Sequence, residues 1–244
     1  DKAVIRQNDK EGLRFKVTVE NLTDGHNVPT GFAAERLVFL QVSVTDATGK
    51  VIFKSGDLDP NGDVRDHESA FVINGDLPLD NQLFDLRGRV LVTNSRGGER
   101  ERVIPVPYPI TTIPFLRPTT RSLILTGESP VERIHRRSLA PLDYRWANYE
   151  VDGNLLTGKG PYKAKIDFIA GMAPANLIGA IKGQGFDYAM SAREVADNVA
   201  AGYEVLDSKE LVFNIDGNKD VVKTSFLNSI FKLSHPFLFL TLEK

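Results

Sequence analysis

Oxygen-bearing side chains recur at regular spacing in the stretch "DLDPNGDVRDHE", residues 57–68. Their order matches the calcium-loop pattern D-x-[DN]-x-[DN]-G-x5-E. In such a loop the ion takes about six to eight oxygens from carboxylates, amides and a main-chain carbonyl. The spacing therefore predicts a calcium site whose ligands are Asp57, Asp59, Asn61, Asp63 and Glu68.

The same residue types also favour an acidic hairpin turn, because Asp, Asn and Gly are the usual residues of turns. Calcium loops of this pattern normally lie between two helices, whereas "KVIFKSG" just before this loop alternates like a strand. Pro60 is also unusual inside such a loop. The sequence leaves both the calcium site and the acidic turn open.

The four histidines, His26, His67, His135 and His235, form no H-E-x-x-H motif and no close zinc pair. Composition predicts that His26, in "DGHNVPTG", is a polar residue of a Gly/Pro turn. The sequence has no G-x-S-x-G elbow and no glycine-rich phosphate loop after a strand. We therefore expect a protein that is not an enzyme.

Composition and net charge limit which partners and cofactors we expect. The chain has 244 residues, 41% hydrophobic and 25% charged, with a net charge of -2 and no cysteine. This balance predicts neither nucleic-acid binding nor a polybasic membrane patch, and no apolar run reaches the ~18 residues of a membrane span. Without cysteine this chain forms no disulfide and attaches no haem covalently. The chain begins at Asp1 without a signal peptide, and we interpret it as a segment whose natural start lies upstream.

Short runs of alternating apolar residues dominate the chain, which predicts half-buried strands. Several such strands separated by turns indicate a mainly β fold, an immunoglobulin-like β-sandwich that forms one domain over residues 1–244. The predicted strands are "LRFKVTVEN", "LVFLQVSVTD", "GRVLVTN", "RSLILTG", "YKAKIDFIAG", "KELVFNID" and "FLFLTL".

Two segments interrupt this pattern. The proline-rich segment 103–120 predicts an extended crossing between parts of the sandwich, because proline cannot donate to a central ladder. Residues 172–203 predict a small two-helix insert. Its second helix begins with the capping box of Ser191 and Glu194 and ends at Gly202. Val195 and Val199, with Ala196, are expected to face inward.

Aromatic residues cluster in "DYRWANYEV". Tyr144, Trp146 and Tyr149 suit either an aromatic sugar-binding strip or the core and rim of the sandwich, and composition favours the core and rim.

Several stretches, in order, resemble a known group. "DGHNVPTG" followed by "LQVSVTDATGKVIFKSGDLDPNGDVRDHES" is similar to the cysteine-free C-terminal β-sandwich region of bacterial multihaem c-type cytochromes. In that group a G-H-x-x-P-T-G turn precedes a strand, a D-x-x-G hairpin and an S-G-x-L-D-x-x-G-D loop. The resemblance continues through "RGGERERVIPVPYPITTIPFLRPTTR", "RWANYEV" and "GFDYAMSAREVADNVAAGYEVL" and covers residues 13–215.

The resemblance implies extracytoplasmic electron transfer, in the periplasm or at the cell surface. The chain would be a haem-free scaffold or cap that shields haem carried by an upstream segment or a partner chain. His26 matches the histidine of the G-H-x-x-P-T-G turn, which implies an axial ligand to a neighbouring haem. The acidic loop also matches the family pattern, which favours a recurring structural role for the loop and also Ca²⁺ binding.

Two other functions stay open at this stage. A secreted calcium-dependent adhesion or carbohydrate-binding module would use the acidic loop and the aromatic residues near Trp146. A structural filament subunit would pair its strand edges and the tail "FLFLTL" between copies, because an unpaired edge invites a partner strand.

Overall fold

Two antiparallel sheets face each other across one apolar core. The structure is a computed structural model that describes residues 3–9, 12–30, 36–93, 99–101, 132–135, 137–183, 187–215, 223–224 and 239–241. Its strands are β1 Ala3–Asp9, β2 Gly12–Glu20, β3 Leu37–Thr45, β4 Val51–Ser55, β5 Arg89–Thr93, β6 Glu99–Glu101, β7 Glu132–His135, β8 Tyr144–Asp152, β9 Tyr162–Gly171, β10 Glu204–Phe213, β11 Lys223–Thr224 and β12 Phe239–Thr241. Its helices are α1 Ala70–Ile73, α2 Ala175–Gly183 and α3 Ala192–Ala201, with a 3-10 turn at Gly153–Leu155.

The first sheet is built on β2, which pairs with β8 along its whole length. On its other side β2 pairs with β1, and near its end with β12. The second sheet has the order β11-β10-β9-β3-β4, and all of its pairs are antiparallel. A third, three-stranded sheet has the order β6-β5-β7.

The core lies between the inward faces of the first two sheets. Alternation along β2 and β8 turns every second side chain inward, and the same holds for the second half of β3, the first half of β9 and the last three residues of β10. Phe15 stacks on Tyr149 at 5.3 Å between ring centroids, and Tyr162 stacks on Phe213 at 5.5 Å. Burial of this apolar surface is the main stabilising contribution to the fold.

The outer face of the second sheet is covered as well. Leu37, Phe39 and Ile169 point away from the main core and form a second apolar cluster with Val64 of the acidic loop. Tyr203, just after α3, packs against this cluster with its ring edge-on to Phe39. The acidic loop and the chain just after α3 therefore cover this part of the outer face.

The structure confirms a mainly β fold, a sandwich with a small helical insert. The two helices of that insert lie inside residues 172–203. The capping box of Ser191 and Glu194 is present, Gly202 is the C-cap, and Val195 and Ala196 are buried, whereas Val199 is half-buried. The β3–β4 hairpin turns through Gly49, whose φ of 83° suits glycine.

Two predicted elements, the proline-rich crossing 103–120 and the strand "RSLILTG", lie outside the described residues. Among the helices that the structure describes, none is long and apolar enough to span a membrane.

Candidate functional site

The turn that carries His26 is tied down by the side chain of Asn21. The amide of Asn21 donates to the carbonyl oxygens of His26 (2.8 Å) and Ala140 (3.0 Å). Its oxygen accepts from the hydroxyl of Thr23 at 2.7 Å. Asn21 is fully buried, so these bonds form away from water and fix the main chain of the turn.

A main-chain bridge holds the far side of the same turn. The N–H of Val28 donates to the carbonyl of Leu139 at 2.9 Å, and the N–H of Leu139 donates back at 2.8 Å. The side chain of His26 is exposed. The turn thus presents an accessible imidazole on a fixed main chain, next to the end of β2 and the start of β8.

The other histidines are placed differently. His67 is exposed within the acidic loop, and β7 ends at His135. His235 lies outside the described residues. Of the histidines whose side chains the structure describes, His26 and His67 are exposed, and His26 belongs to the turn held by Asn21.

Asp59 organises the acidic loop around its own carboxylate. Its Oδ1 accepts from the main-chain N–H groups of Asn61 (2.7 Å) and Asp63 (3.1 Å). Its Oδ2 accepts from the hydroxyl of Ser69 at 2.6 Å. These are the bonds of an Asx turn, in which a carboxylate replaces a main-chain acceptor.

Three other predicted calcium ligands also contact protein donors. Asp57 accepts from the guanidinium of Arg65 at 2.6 Å. Glu68 forms an ion pair with Arg87 at 2.9 Å. Asp63 is buried and accepts from the main-chain N–H of Asn176 in α2 at 2.9 Å.

The fifth predicted ligand, Asn61, is exposed. Among the described residues no three His, Cys, Asp or Glu side chains are grouped closely enough to hold a metal ion. The predicted ligands thus share one loop but direct most of their oxygens to protein donors. Calcium binding stays a prediction from spacing, checked by melting the chain with Ca²⁺ and with chelator. A bound ion raises the melting temperature by mass action.

The helical insert packs against the acidic loop. Gly62, with a φ of 84°, lies so close to α3 that a Cβ on it would be 3.1 Å from the Cβ of Ala200. The hydroxyl of Tyr203 donates to the carbonyl of Gly62 at 3.0 Å. Arg193 of α3 donates to the carbonyl of Pro60. The tip of the loop therefore contacts the insert from both ends of α3.

Burial raises the pKa values of two groups where the loop meets the insert. Desolvation raises the pKa of Asp63 to about 7, and the neighbouring charge of Asp59 adds to that rise. Desolvation also raises the pKa of the Tyr203 phenol, with a further contribution from Asp63. The contact between the loop and the insert thus disfavours negative charge at Asp63.

A buried network of charged groups beside the loop was missed at the sequence level. Asp66 forms ion pairs with both Arg87 and Arg89, and the two arginine side chains are only 3% and 7% exposed. Arg89 also pairs with Asp85, which Arg137 contacts at 2.7 Å. Burial by itself would raise the pKa of Asp66, but the two arginines lower it below its ordinary value.

The aromatic residues of β8 divide between the core and the surface. Tyr149 is buried, and desolvation raises the pKa of its phenol. Tyr144 and Trp146 are about half exposed on the outer face, 5.5 Å apart between ring centroids. The ammonium of Lys16 lies 4.3 Å from the centre of the Trp146 ring. The three aromatics therefore form no single strip.

Comparison with known proteins yields one distant likeness. No protein-family model matches this chain, and no curated protein matches it. A solved structure that it resembles is the crystal structure of a penta-heme cytochrome c552 from Thermochromatium tepidum, at 17% sequence identity and a TM-score of 0.46. The likeness covers 87% of this chain and 38% of that chain. This chain thus spans well under half the length of that cytochrome.

Proposed function

We propose that this chain is the haem-free β-sandwich domain of, or a partner chain to, an extracytoplasmic multihaem c-type cytochrome that works in electron transfer. Its role there is to shield haem from water and to fix its position. His26 is the axial ligand that it donates to a neighbouring haem. The role is one of binding and positioning, without catalysis by this chain.

The observation that carries the proposal is the pairing of an exposed imidazole with a fixed main chain at His26. A neutral imidazole nitrogen is a common axial ligand to haem iron. Preorganisation of the turn lowers the entropy cost of binding, because the main chain needs no ordering when iron arrives. The ordered sequence motifs described above, which include the G-H-x-x-P-T-G turn, support the same role.

Isolation of the native assembly tests this proposal. We expect the chain expressed alone to lack Soret absorption, and its native assembly to show it. The assembly should contain C-x-x-C-H sites, in a co-purifying polypeptide or upstream of Asp1. A colourless native assembly with no such sites would overturn the proposal.

One observation favours a second candidate, a carbohydrate-binding module. The exposed Tyr144 and Trp146 rings offer apolar faces on which a sugar ring can stack. Glycan binding that is lost in Trp146→Ala and kept in Met172→Ala, which truncates an exposed apolar side chain elsewhere, would favour this candidate. Absence of glycan binding by the unaltered chain would remove it.

A further inference from the structure

Strand β8 has one edge that no strand covers among the described residues. Its other edge pairs with β2 in an antiparallel register that sets Glu150 opposite Arg14 and Tyr144 opposite Glu20. In such a ladder alternate residues bond to the neighbour, and the residues between them point their N–H and C=O groups the other way. The bonds of Glu150 show which residues of β8 direct their main-chain groups away from β2.

The side chain of Gln82 covers the main chain of Glu150 from outside the sheet. The N–H of Glu150 donates to the Gln82 amide oxygen at 2.7 Å, and the Gln82 amide donates to the Glu150 carbonyl at 3.0 Å. This pair of bonds imitates an added strand. It also shows that the even-numbered residues of β8, among them Trp146 and Asn148, direct their main-chain groups to the open edge.

The open stretch of this edge has two clear ends. At one end the side chain of Gln82 bonds to the main chain of Glu150. At the other end the strand begins at Tyr144, whose N–H donates to the carboxylate of Asp143 at 2.8 Å, just after a turn in which Leu142 has a φ of 56°. Between them Tyr144, Trp146 and Asn148 alternate along the edge, with Trp146 in the middle.

We propose that a second copy of this chain pairs with the open edge of β8. The two β8 strands run antiparallel about a two-fold axis beside Trp146, and the first sheets of the two copies join into one continuous sheet. The proposal rests on the register of β8 and on the edge that no described strand covers, and it is independent of any haem.

Self-pairing fits the open stretch. Centred on Trp146, it sets Tyr144 opposite Asn148 of the second copy, where the Tyr144 carbonyl accepts from the Asn148 N–H while the Tyr144 N–H keeps its bond to Asp143. The pairing ends before Glu150, whose main chain bonds to Gln82. The two Trp146 side chains become cross-strand neighbours, a stabilising aromatic pair. Arg145 faces Ala147 of the second copy, a small residue that leaves room for it. No like charges lie directly opposite each other.

The side chains along the stretch do little to prevent pairing. Natural edges are often protected by charged residues, proline or bulges. Here the residues on the outer face are the uncharged Tyr144, Trp146 and Asn148, and the one charged residue among residues 144–148 is Arg145. Arg145 donates to the carbonyl of Arg137 at 2.6 Å, which holds it toward its own chain.

A two-fold contact of this kind is closed, because each copy uses the same edge and leaves none for a third. We therefore expect a dimer and not a filament. The contact involves only a few residues of each strand, so we expect a weak dimer whose population depends on concentration.

Single cysteines provide the sharpest test, since the chain has none of its own. In Trp146→Cys the two Cα atoms across the axis would be about 5.5 Å apart, a separation that a disulfide can span. In Asn148→Cys they would be displaced by four residues, about 13 Å, which it cannot. With diamide as the oxidant we expect covalent dimers of Trp146→Cys only. Equal cross-linking of both variants would overturn the proposal.

Sedimentation velocity of the unaltered chain gives an independent readout. We expect dimer to grow across the micromolar range, and monomer at all concentrations would overturn the proposal. Asn148→Pro removes an N–H that faces the open edge without removing a bond to β2. It should weaken dimerisation about tenfold or more at an unchanged melting temperature, whereas Asn148→Ala, which keeps the N–H, should retain the dimer.

Discussion

The carboxylate of Asp63 lies 2.9 Å from the main-chain nitrogen of Asn176, so that a side chain of the acidic loop accepts a hydrogen bond from the first turn of α2. The amide side chain of Asn176 donates in turn to the carbonyl of Glu68 at 3.3 Å. These contacts join the loop to the helical insert across more than 100 positions of sequence. The acidic residues of this loop therefore act as acceptors for protein donors.

The pKa of Asp63 leads to a prediction about pH. Folding raises this pKa from 3.8 to about 7, so the folded state holds the proton more tightly than the unfolded state. The associated stability is fully present below pH 3.8 and is lost as pH rises through about 7. Asp63→Asn keeps an acceptor oxygen and carries no charge. We expect it to raise the free energy of unfolding at pH 8 by about 1–4 kcal/mol.

Urea denaturation between pH 5 and pH 8 checks this, with both chains measured at each pH. The difference between Asp63→Asn and the unaltered chain should shrink toward low pH. Asp76→Asn, which neutralises an exposed carboxylate, is the matched control. A variant Asp63→Asn that is no more stable than the unaltered chain at pH 8 would contradict the prediction.

The close approach of Gly62 to α3 predicts a difference between two glycines. Gly62 and Gly49 have almost the same φ, 84° and 83°, but a Cβ at Gly49 meets nothing within 4 Å. Gly49→Ala should therefore cost only the left-handed strain, about 1–2 kcal/mol. Gly62→Ala should cost about 1–3 kcal/mol more, because its Cβ also presses on Ala200 and Ala196. Equal losses in chemical denaturation would show that α3 does not rest on the loop.

The buried charges predict a large effect of removing one partner. Arg87→Met leaves Asp66 and Glu68 without a guanidinium that both now contact. We expect a loss of about 3–5 kcal/mol in the free energy of unfolding. Arg14→Met, which breaks the exposed pair with Glu150, should cost less than about 1 kcal/mol. If the two variants unfold at the same denaturant concentration, the network contributes nothing beyond a surface pair.

The bonds from Asn21 to the turn that carries His26 predict that Asn21 keeps the main chain of this turn ordered. Asn21→Ala removes three hydrogen bonds, to the carbonyls of His26, Leu139 and Ala140, and leaves each carbonyl with one other donor. We expect a loss of about 2–4 kcal/mol and faster amide hydrogen exchange through the turn. Asn27→Ala is the control, since its contact to Ser138 is 3.4 Å long. Unchanged exchange in Asn21→Ala would mean that the turn is fixed by other contacts.

Local pattern predicted most of the sandwich. Strand β2 alternates cleanly between apolar and polar residues, as do the second half of β3 and the first half of β9, and the helix α3 has a capping box in its sequence. Strand β8 was not predicted, because "YRWANYEVD" places exposed aromatics on its polar face and a small alanine in its apolar one. Strand β10 begins at Glu204, five residues before the predicted start at Lys209, because it follows the pairing of β9.

The candidate site was predictable only in part. Sequence pattern marked His26 and the acidic loop and left a calcium site and an acidic turn open, but it did not show which protein donors the carboxylates contact. The partners of those carboxylates are distant in the chain: Asn176 bonds to Asp63, and Arg87 pairs with Glu68. Such contacts arise from tertiary packing of the insert and of the segment before β5, and no local spacing encodes them.

The most direct test of the central claim is a substitution of His26 in the native assembly. A methionine ligand in place of histidine raises the potential of a haem. We expect His26→Met to shift the midpoint potential of one haem upward and to leave the others unchanged, while His67→Met, at another exposed histidine, shifts none. If potentials and haem spectra are the same in both variants and in the unaltered assembly, His26 is not a haem ligand.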